Sequence, residues 1–164
     1  MKENKVLFTT QAAMIAAVYV VLTVVGASFG FGPVQIRFAE ALTILPFFTP
    51  AAIPGLFVGC LIGNIFGGAV LPDIIFGSLA TLIGAYGSWH LKNHPMLVPL
   101  PPILANTIIV PFVLKYAYGE PLTIPFMMLT VGIGEVVSCG LLGYGLLKIL
   151  NNYKHIIFKN SAQA

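Results

Sequence analysis

The chain has 164 residues, of which 58% are hydrophobic and only 8% charged, with a net charge of +3 and a mean hydropathy of +0.96. Soluble domains are about 45–50% apolar and about 25% charged, so this composition excludes an ordinary soluble protein and indicates an integral membrane protein. A spanning helix needs roughly 20 residues, which leaves room for about six helices and little else. We therefore expect a single all-α transmembrane domain over residues 1–164.

Gly, Pro and polar residues divide the apolar runs and predict where helices end. The first run follows a basic start and resembles a secretory signal peptide, but its length favours a retained helix. The second run is short and contains Pro46, so it is either a short or kinked helix or a re-entrant segment. The predicted helices cover about residues 6–28, 36–48, 51–70, 73–91, 101–118 and 122–150.

The basic residues predict how the helices are oriented. Lys2 and Lys5 precede the first helix, and with six crossings Lys92 and the lysines of the C-terminal tail lie on the same side. The positive-inside rule assigns that side to the cytoplasm. We expect a multi-pass protein of the cell membrane with both termini in the cytoplasm.

Small residues form stripes on two of the predicted helices. Glycine recurs at every fourth position of the third helix, and this spacing favours close packing within the subunit over dimerisation. The first helix carries a comparable stripe near its cytoplasmic end, where an external partner is the favoured interpretation. This stripe consists of Ala12, Ala13, Ala16 and Ala17.

Six polar residues within the apolar runs form the candidate binding set, and together they can line one cavity that opens outward. They are Arg37, Glu40, Asn64, Asp73, Asn106 and Glu135. Most of them also have a structural interpretation. Arg37 and Glu40 are three residues apart and can pair with each other, Asp73 suits a helix N-cap, and the asparagines can link helices.

Glu135 is the hardest of these residues to explain structurally, because the first basic residue on its predicted helix is Lys148. An ionised carboxylate near the middle of a membrane is costly, so we favour a functional role. The aromatic residues Phe29, Phe31 and Phe38 lie near the outer mouth. They can stack on a flat ligand or simply belong to the membrane interface.

No signature of an enzyme is found in the sequence. A nucleotide-binding loop is absent, the histidines have no nucleophile beside them, and an intramembrane enzyme that uses Glu40 and Glu135 would lack a nucleophile or metal. The two cysteines, Cys60 and Cys139, are interpreted as small packing residues. We expect no catalysis, no cofactor and no metal site in this chain.

Four segments carry a resemblance to a known family: "VQIRFAEALTILPFFTPAAIPGLFVGCLIGNIFGG", "DIIFGSLATLIGAY", "PLPPILANTIIV" and "GEVVSCGLLG". In this order they resemble the QueT family, the queuosine-precursor substrate-binding subunits (S components) of energy-coupling factor (ECF) transporters. The resemblance implies a six-helix bundle that binds its substrate on the outer side. It also implies docking onto a transmembrane coupling subunit that is attached to two ATPase subunits, which would use the ATP.

The resemblance implies roles for particular residues as well. An AxxxA motif on the first helix of S components faces the coupling subunit, and here it matches Ala12 and Ala16, or Ala13 and Ala17. The loop over residues 26–35 would help to close the binding site.

The implied ligand is a deazaguanine base, whose paired N–H donors a carboxylate can accept. We expect Glu135 to be that acceptor, with Glu40 as the competitor. The remaining predicted ligand contacts are Arg37, Asn64, Asn106 and Phe38. Two alternatives stay open, namely an S component for another small vitamin and a structural or assembly protein of the membrane.

Overall fold

The computed structural model of the protein describes residues 2–26 and 36–158, which are helical throughout apart from short connections. The elements are α1 (Lys2–Gly26), a 3-10 helix (Phe38–Phe47), α2 (Ala52–Phe66), α3 (Leu71–His90), a 3-10 turn (Pro95–Leu97), α4 (Leu100–Ala117), α5 (Ile124–Glu135), a π-helical segment (Val136–Gly143) and α6 (Tyr144–Ile157). The prediction of an all-α fold is therefore confirmed.

The six predicted runs correspond to six helical stretches, because α5, the π-helical segment and α6 form one continuous helix, Ile124–Ile157. The second run is a 3-10 helix with Pro46 inside it. The predicted third helix is too long, since α2 ends at Phe66. Gly68 follows in the left-handed region with a φ of +75°, a conformation that glycine adopts readily and that cannot continue an α-helix.

Three of the described helices are long and apolar enough to cross a membrane: Lys5–Gly26, Pro95–Ala117 and Ile124–Ile157. The 3-10 helix and α2 are apolar but have only 10 and 15 residues. At about 2.0 Å per residue for the 3-10 helix and about 1.5 Å per residue for α2, both fall short of a hydrocarbon core of about 30 Å. The number of complete crossings therefore stays a prediction.

The glycine stripe of α2 packs against α1 in the same chain. A Cβ atom at Gly55 would lie 2.7 Å from the backbone oxygen of Ala12, and one at Gly59 would lie 2.8 Å from the Cβ of Tyr19. A Cβ at Gly63 would meet Thr23 at 3.1 Å. The predicted packing within the subunit is confirmed at these three positions, and α1 is held against α2 at backbone distance.

The 3-10 helix lies at the centre of the bundle, where it contacts α1, α2, α3, α6 and the π-helical segment. Most of its side chains are buried, with Ile44 fully inaccessible. Arg37 precedes its first residue and Glu40 belongs to its first turn. The central position of this short helix therefore brings two of the predicted site residues into the interior.

Candidate functional site

A cavity of about 440 Å³ opens between the end of α1, the start of the 3-10 helix, α2, α3 and α4. This volume lies in the range of small-molecule sites, about 300–1,000 Å³. Its wall combines apolar side chains with a few polar groups. The lining includes two aromatic hydroxyls, four other polar or charged side chains and one phenyl ring: Tyr19, Tyr118, Arg37, Asn64, Asp73, Glu120 and Phe38.

Arg37 and Asp73 form an ion pair in the cavity wall. A guanidinium nitrogen of Arg37 lies 3.8 Å from Oδ2 of Asp73, and the hydroxyl of Tyr118 donates to the same oxygen at 2.9 Å. Burial, and after it the neighbouring Asp73, raise the pKa of Tyr118, so this phenol remains a donor at neutral pH. The ion pair therefore joins the 3-10 helix to α3 across the cavity.

This geometry corrects two predictions. Arg37 pairs with Asp73 and not with Glu40, because the extended backbone at Arg37 precedes the helix, so the expected spacing of three residues on one helical face does not apply. Asp73 is not the N-cap of α3, since Val70 occupies that position and no side chain caps the helix. The side chain of Asp73 turns instead to Arg37 and Tyr118.

The other oxygen of Asp73, Oδ1, is buried and has no hydrogen-bond partner among the described residues. A buried acceptor without a partner is costly, so such a group in a cavity wall is a candidate for contact with a ligand. Asn64 lies beside it and donates from Nδ2 to the backbone oxygen of Asp73 at 3.4 Å. Asn64 thus links α2 to α3 and also lines the cavity.

Tyr19 connects the cavity to a second polar region deeper in the bundle. Its ring lines the cavity, while its hydroxyl donates to Oε1 of Glu40 at 2.5 Å. Glu40 is 1% exposed and is not among the residues that line the cavity. One tyrosine therefore forms the boundary between the ligand-sized space and the buried carboxyl.

Behind Tyr19 lies a group that we call the acid cluster, formed by Glu40, Glu135 and Cys139. One ligating atom from each residue lies within 4.8 Å of the others, and all three residues are buried. The Cys139 thiol donates to Oε2 of Glu135 at 3.1 Å. Asn106 is also buried and neighbours both carboxyl groups.

A family model described as QueT transporter matches residues 9–152 of the chain. The chain belongs to the QueT transporter family. It is also similar to the "Queuosine precursor transporter QueT" of Lactococcus lactis subsp. cremoris (strain MG1363), with 35% identity over 85 residues. These residues are 51% of this chain and 50% of the relative, so the chain spans about half the length of the curated protein it matches. No solved structure matches it.

The family and the apolar helices together place this QueT-family chain in a membrane, as the composition predicts. The structure divides the predicted ligand residues of this family member into two groups. Arg37, Asn64 and Phe38 line the cavity. Glu40, Asn106 and Glu135 lie behind its wall in the part of the chain that the structure describes.

Tyr19 and Tyr118 were not among the predicted site residues, and the N-cap interpretation of Asp73 is wrong. Asp73 and Tyr118 come together only through the packing of α3 and α4, which no local pattern reveals. Tyr19 could have been noticed, because it follows Ala12 and Ala16 on the face of α1 that meets the α2 glycines. Phe29 and Phe31, and the loop after Gly26, lie outside the described residues.

The structure separates the two possible AxxxA pairs on α1. Ala12 and Ala16 face the glycines of α2, and Ala16 is buried there. Ala13 and Ala17 are exposed on another face of α1. The second pair is therefore available to an external partner, whereas the first pair serves internal packing.

Proposed function

We propose that this chain is the substrate-binding membrane subunit of an ATP-driven ECF importer and that it takes up a queuosine precursor, a deazaguanine base. The observation that carries this proposal is a ligand-sized cavity, with a carboxylate and a guanidinium on its wall, in a chain of a transporter family. The name of the Lactococcus lactis relative supports the class of ligand.

The cavity offers complementary groups for such a base. One edge of a guanine-like ring presents an N–H and an adjacent amino group, which a carboxylate accepts with two oxygens. Asp73 has one oxygen, Oδ1, without a partner, while the other accepts from Tyr118 at 2.9 Å and lies 3.8 Å from Arg37, which leaves it a second lone pair. We therefore assign the acceptor role to Asp73, and this assignment replaces the expectation for Glu135.

The neighbours of Asp73 complete the proposed site. Arg37 is 29% exposed in its side chain and can donate to the carbonyl of the base once the ligand separates it from Asp73. Phe38 borders the same space and offers a face on which the flat ring can stack. The amide of Asn64 would form a hydrogen bond with a remaining polar atom of the base.

Glu40, Asn106 and Glu135 have an indirect role in this proposal. Glu40 holds the hydroxyl of Tyr19 and so fixes the ring that bounds the cavity. Asn106 and Glu135 neighbour Glu40 from behind. These three residues then position the wall, whereas Asp73, Arg37 and Phe38 contact the ligand.

The proposed partners are a transmembrane coupling subunit and two ATPase subunits, which would hydrolyse ATP while this chain only binds and delivers the substrate. We place the coupling subunit against the exposed pair Ala13 and Ala17, because small residues let a partner helix approach closely in lipid. Both termini lie in the cytoplasm in this proposal, in agreement with the distribution of lysines.

Titration of the purified full-length protein in detergent tests the proposed ligand. A ligand that binds only the folded state raises the unfolding temperature, with about 2.7 kcal/mol of stabilisation at a hundredfold excess over Kd. We expect deazaguanine precursors to give this shift and guanine to give less. A shift with a vitamin such as biotin alone would favour the other S-component assignment, and no shift with any ligand would favour a structural protein.

A further inference from the structure

We propose that the acid cluster, Glu40, Glu135 and Cys139, binds one divalent transition-metal ion such as Zn²⁺ behind the ligand cavity. The proposal rests on the positions of these side chains and is independent of the proposed ligand and partners. The three residues come from two distant parts of the chain, so no local sequence pattern indicates a metal site.

The first observation is the proximity of the three ligating groups. An oxygen of each carboxyl and the sulfur of Cys139 lie within 4.8 Å of one another, at side chains that are 1%, 5% and 0% exposed for Glu40, Glu135 and Cys139. The atoms of a tetrahedral zinc site lie about 3.5 Å apart, given metal–ligand bonds of about 2.0–2.3 Å. Small side-chain rotations therefore suffice to bring these atoms to a common ion.

The second observation is an acceptor that the protein leaves unused. Oε2 of Glu40 is buried and has no hydrogen-bond partner among the described residues, although Oε1 accepts from Tyr19. Asn106 lies close to both carboxyls, but Oε2 of Glu40 has no partner among the described residues. Such a buried carboxyl oxygen has a lone pair with which it can bind a cation.

Charge leads to the same conclusion. The ion pair that the structure gives for Arg37 is with Asp73, so no described side chain forms an ion pair with Glu40 or Glu135. Two carboxylates this close in an apolar interior need positive charge or protons between them. One divalent ion would offset two of the three negative charges that the two carboxylates and the Cys139 thiolate carry, and its binding would release the thiol proton together with any carboxyl proton.

The donor set selects the class of ion. Two carboxylate oxygens and one thiolate sulfur suit a borderline ion such as Zn²⁺ or Co²⁺ better than Mg²⁺ or Ca²⁺, which prefer oxygen ligands only. Asn106 is buried beside both carboxyls and would serve as a fourth ligand if its amide turned to direct its oxygen toward the ion.

The surroundings hold the sulfur in place. The Cys139 thiol is 3.4 Å from the hydroxyl of Thr43 and 3.4 Å from the backbone oxygen of Glu40. Cys139 belongs to the π-helical segment, which begins directly after Glu135, and π-helical insertions occur frequently at functional sites. Tyr19 lines the cavity and also donates to Glu40 of the cluster, so the ion would enter by displacement of its ring.

Metal content of the purified full-length protein tests the proposal. After treatment with a chelator, the protein is loaded with Zn²⁺ or Co²⁺, separated from free metal by gel filtration and analysed for bound metal and for the cobalt–thiolate absorption band. We expect one ion per chain and a thiolate band. Bound metal well below one ion per chain, or cobalt binding without a thiolate band, would overturn the proposal.

Variants assign the ion to the cluster. Cys139→Ala and Glu135→Gln should each weaken Zn²⁺ binding at least tenfold and Cys139→Ala should abolish the thiolate band. Cys60→Ala is the matched control, because Cys60 is equally buried but lies outside the cluster, and it should keep both signals. The same loss in the Cys60 variant would overturn the assignment. If Cys139→Ala does not fold, the band retained in Cys60→Ala still decides, since Cys139 is then the only thiol left.

Discussion

Asp73 and Glu135 are both acids within apolar runs, but the fold gives them different surroundings. Asp73 lies on the wall of the cavity, where Arg37 and Tyr118 contact one of its oxygens and leave the other free. Glu135 lies behind that wall with Cys139 and Glu40. The cost of burying a carboxylate marks both residues as candidates for a function. Only the packing of distant segments determines which of them reaches the cavity.

The largest effect is expected for Asp73→Asn. This change removes one acceptor oxygen and introduces a donor where the proposed ligand also has donors, so deazaguanine binding should weaken by about 2–3 kcal/mol, which is at least about thirtyfold in Kd. Calorimetric titration of the folded variant measures this loss.

Glu120→Gln is the control for that change, since Glu120 also lines the cavity but is exposed. The Kd of this variant should stay within about threefold of the wild type, because an exposed charge contributes little interaction free energy. Equal losses in both variants would mean that general electrostatic attraction, and not a specific contact with Asp73, determines affinity.

The second effect concerns the interface between α1 and α2, which holds Tyr19 between the cavity and the acid cluster. Gly55→Ala places a Cβ 2.7 Å from a backbone oxygen of α1, and this oxygen cannot rotate away. The free energy of unfolding should therefore fall by at least about 1 kcal/mol. Thermal unfolding in detergent measures this change. Gly145→Ala, where no atom lies within 4 Å of the new Cβ, is the matched control and should not be destabilised. An equally stable Gly55→Ala protein would argue against the packing of α1 on α2.

A smaller effect is expected for Glu135→Gln in the absence of added metal. Glu135 does not line the cavity, so the Kd for a deazaguanine should change by less than about threefold, or about 0.7 kcal/mol. The titration used for Asp73→Asn provides the measurement. A loss as large as that of Asp73→Asn would reverse the assignment of the two carboxylates.

The smallest effect on the chain itself is expected for Ala17→Leu. Ala17 is exposed, so its replacement should change the stability by no more than about 0.5 kcal/mol, while co-purification with the coupling subunit is lost. Ala16→Leu is the contrasting variant, because Ala16 is buried against Gly59 and the larger side chain should destabilise the fold. Retained co-purification in a folded Ala17→Leu protein would place the partner on another surface.

The sequence predicted those features that depend on composition and on periodicity. The hydrophobic content of 58% and the lengths of the apolar runs predicted an all-α membrane protein. The glycine spacing of α2 indicated close packing with a neighbouring helix. Both follow from rules that act along one segment, independently of which other segments surround it.

The contacts between distant segments could not be predicted in this way. The partner of Arg37 is on α3 and not one turn along its own helix, and the partner of Glu40 is Tyr19 on α1. The depth of Glu135 along its helix was the reason to expect a function. Depth alone does not determine whether a residue lies in the cavity or behind Tyr19 in the acid cluster. Such choices depend on the central position of the short 3-10 helix.

A structure of the full-length protein with a bound deazaguanine would decide between Asp73 and Glu135 as the acceptor for the base. We predict that the donor edge of the base lies within hydrogen-bond distance of Asp73, about 2.7–3.2 Å, with Phe38 against the ring and Tyr19 between the base and Glu135. A base that instead donates to Glu135, with Asp73 still paired to Arg37, would contradict the account.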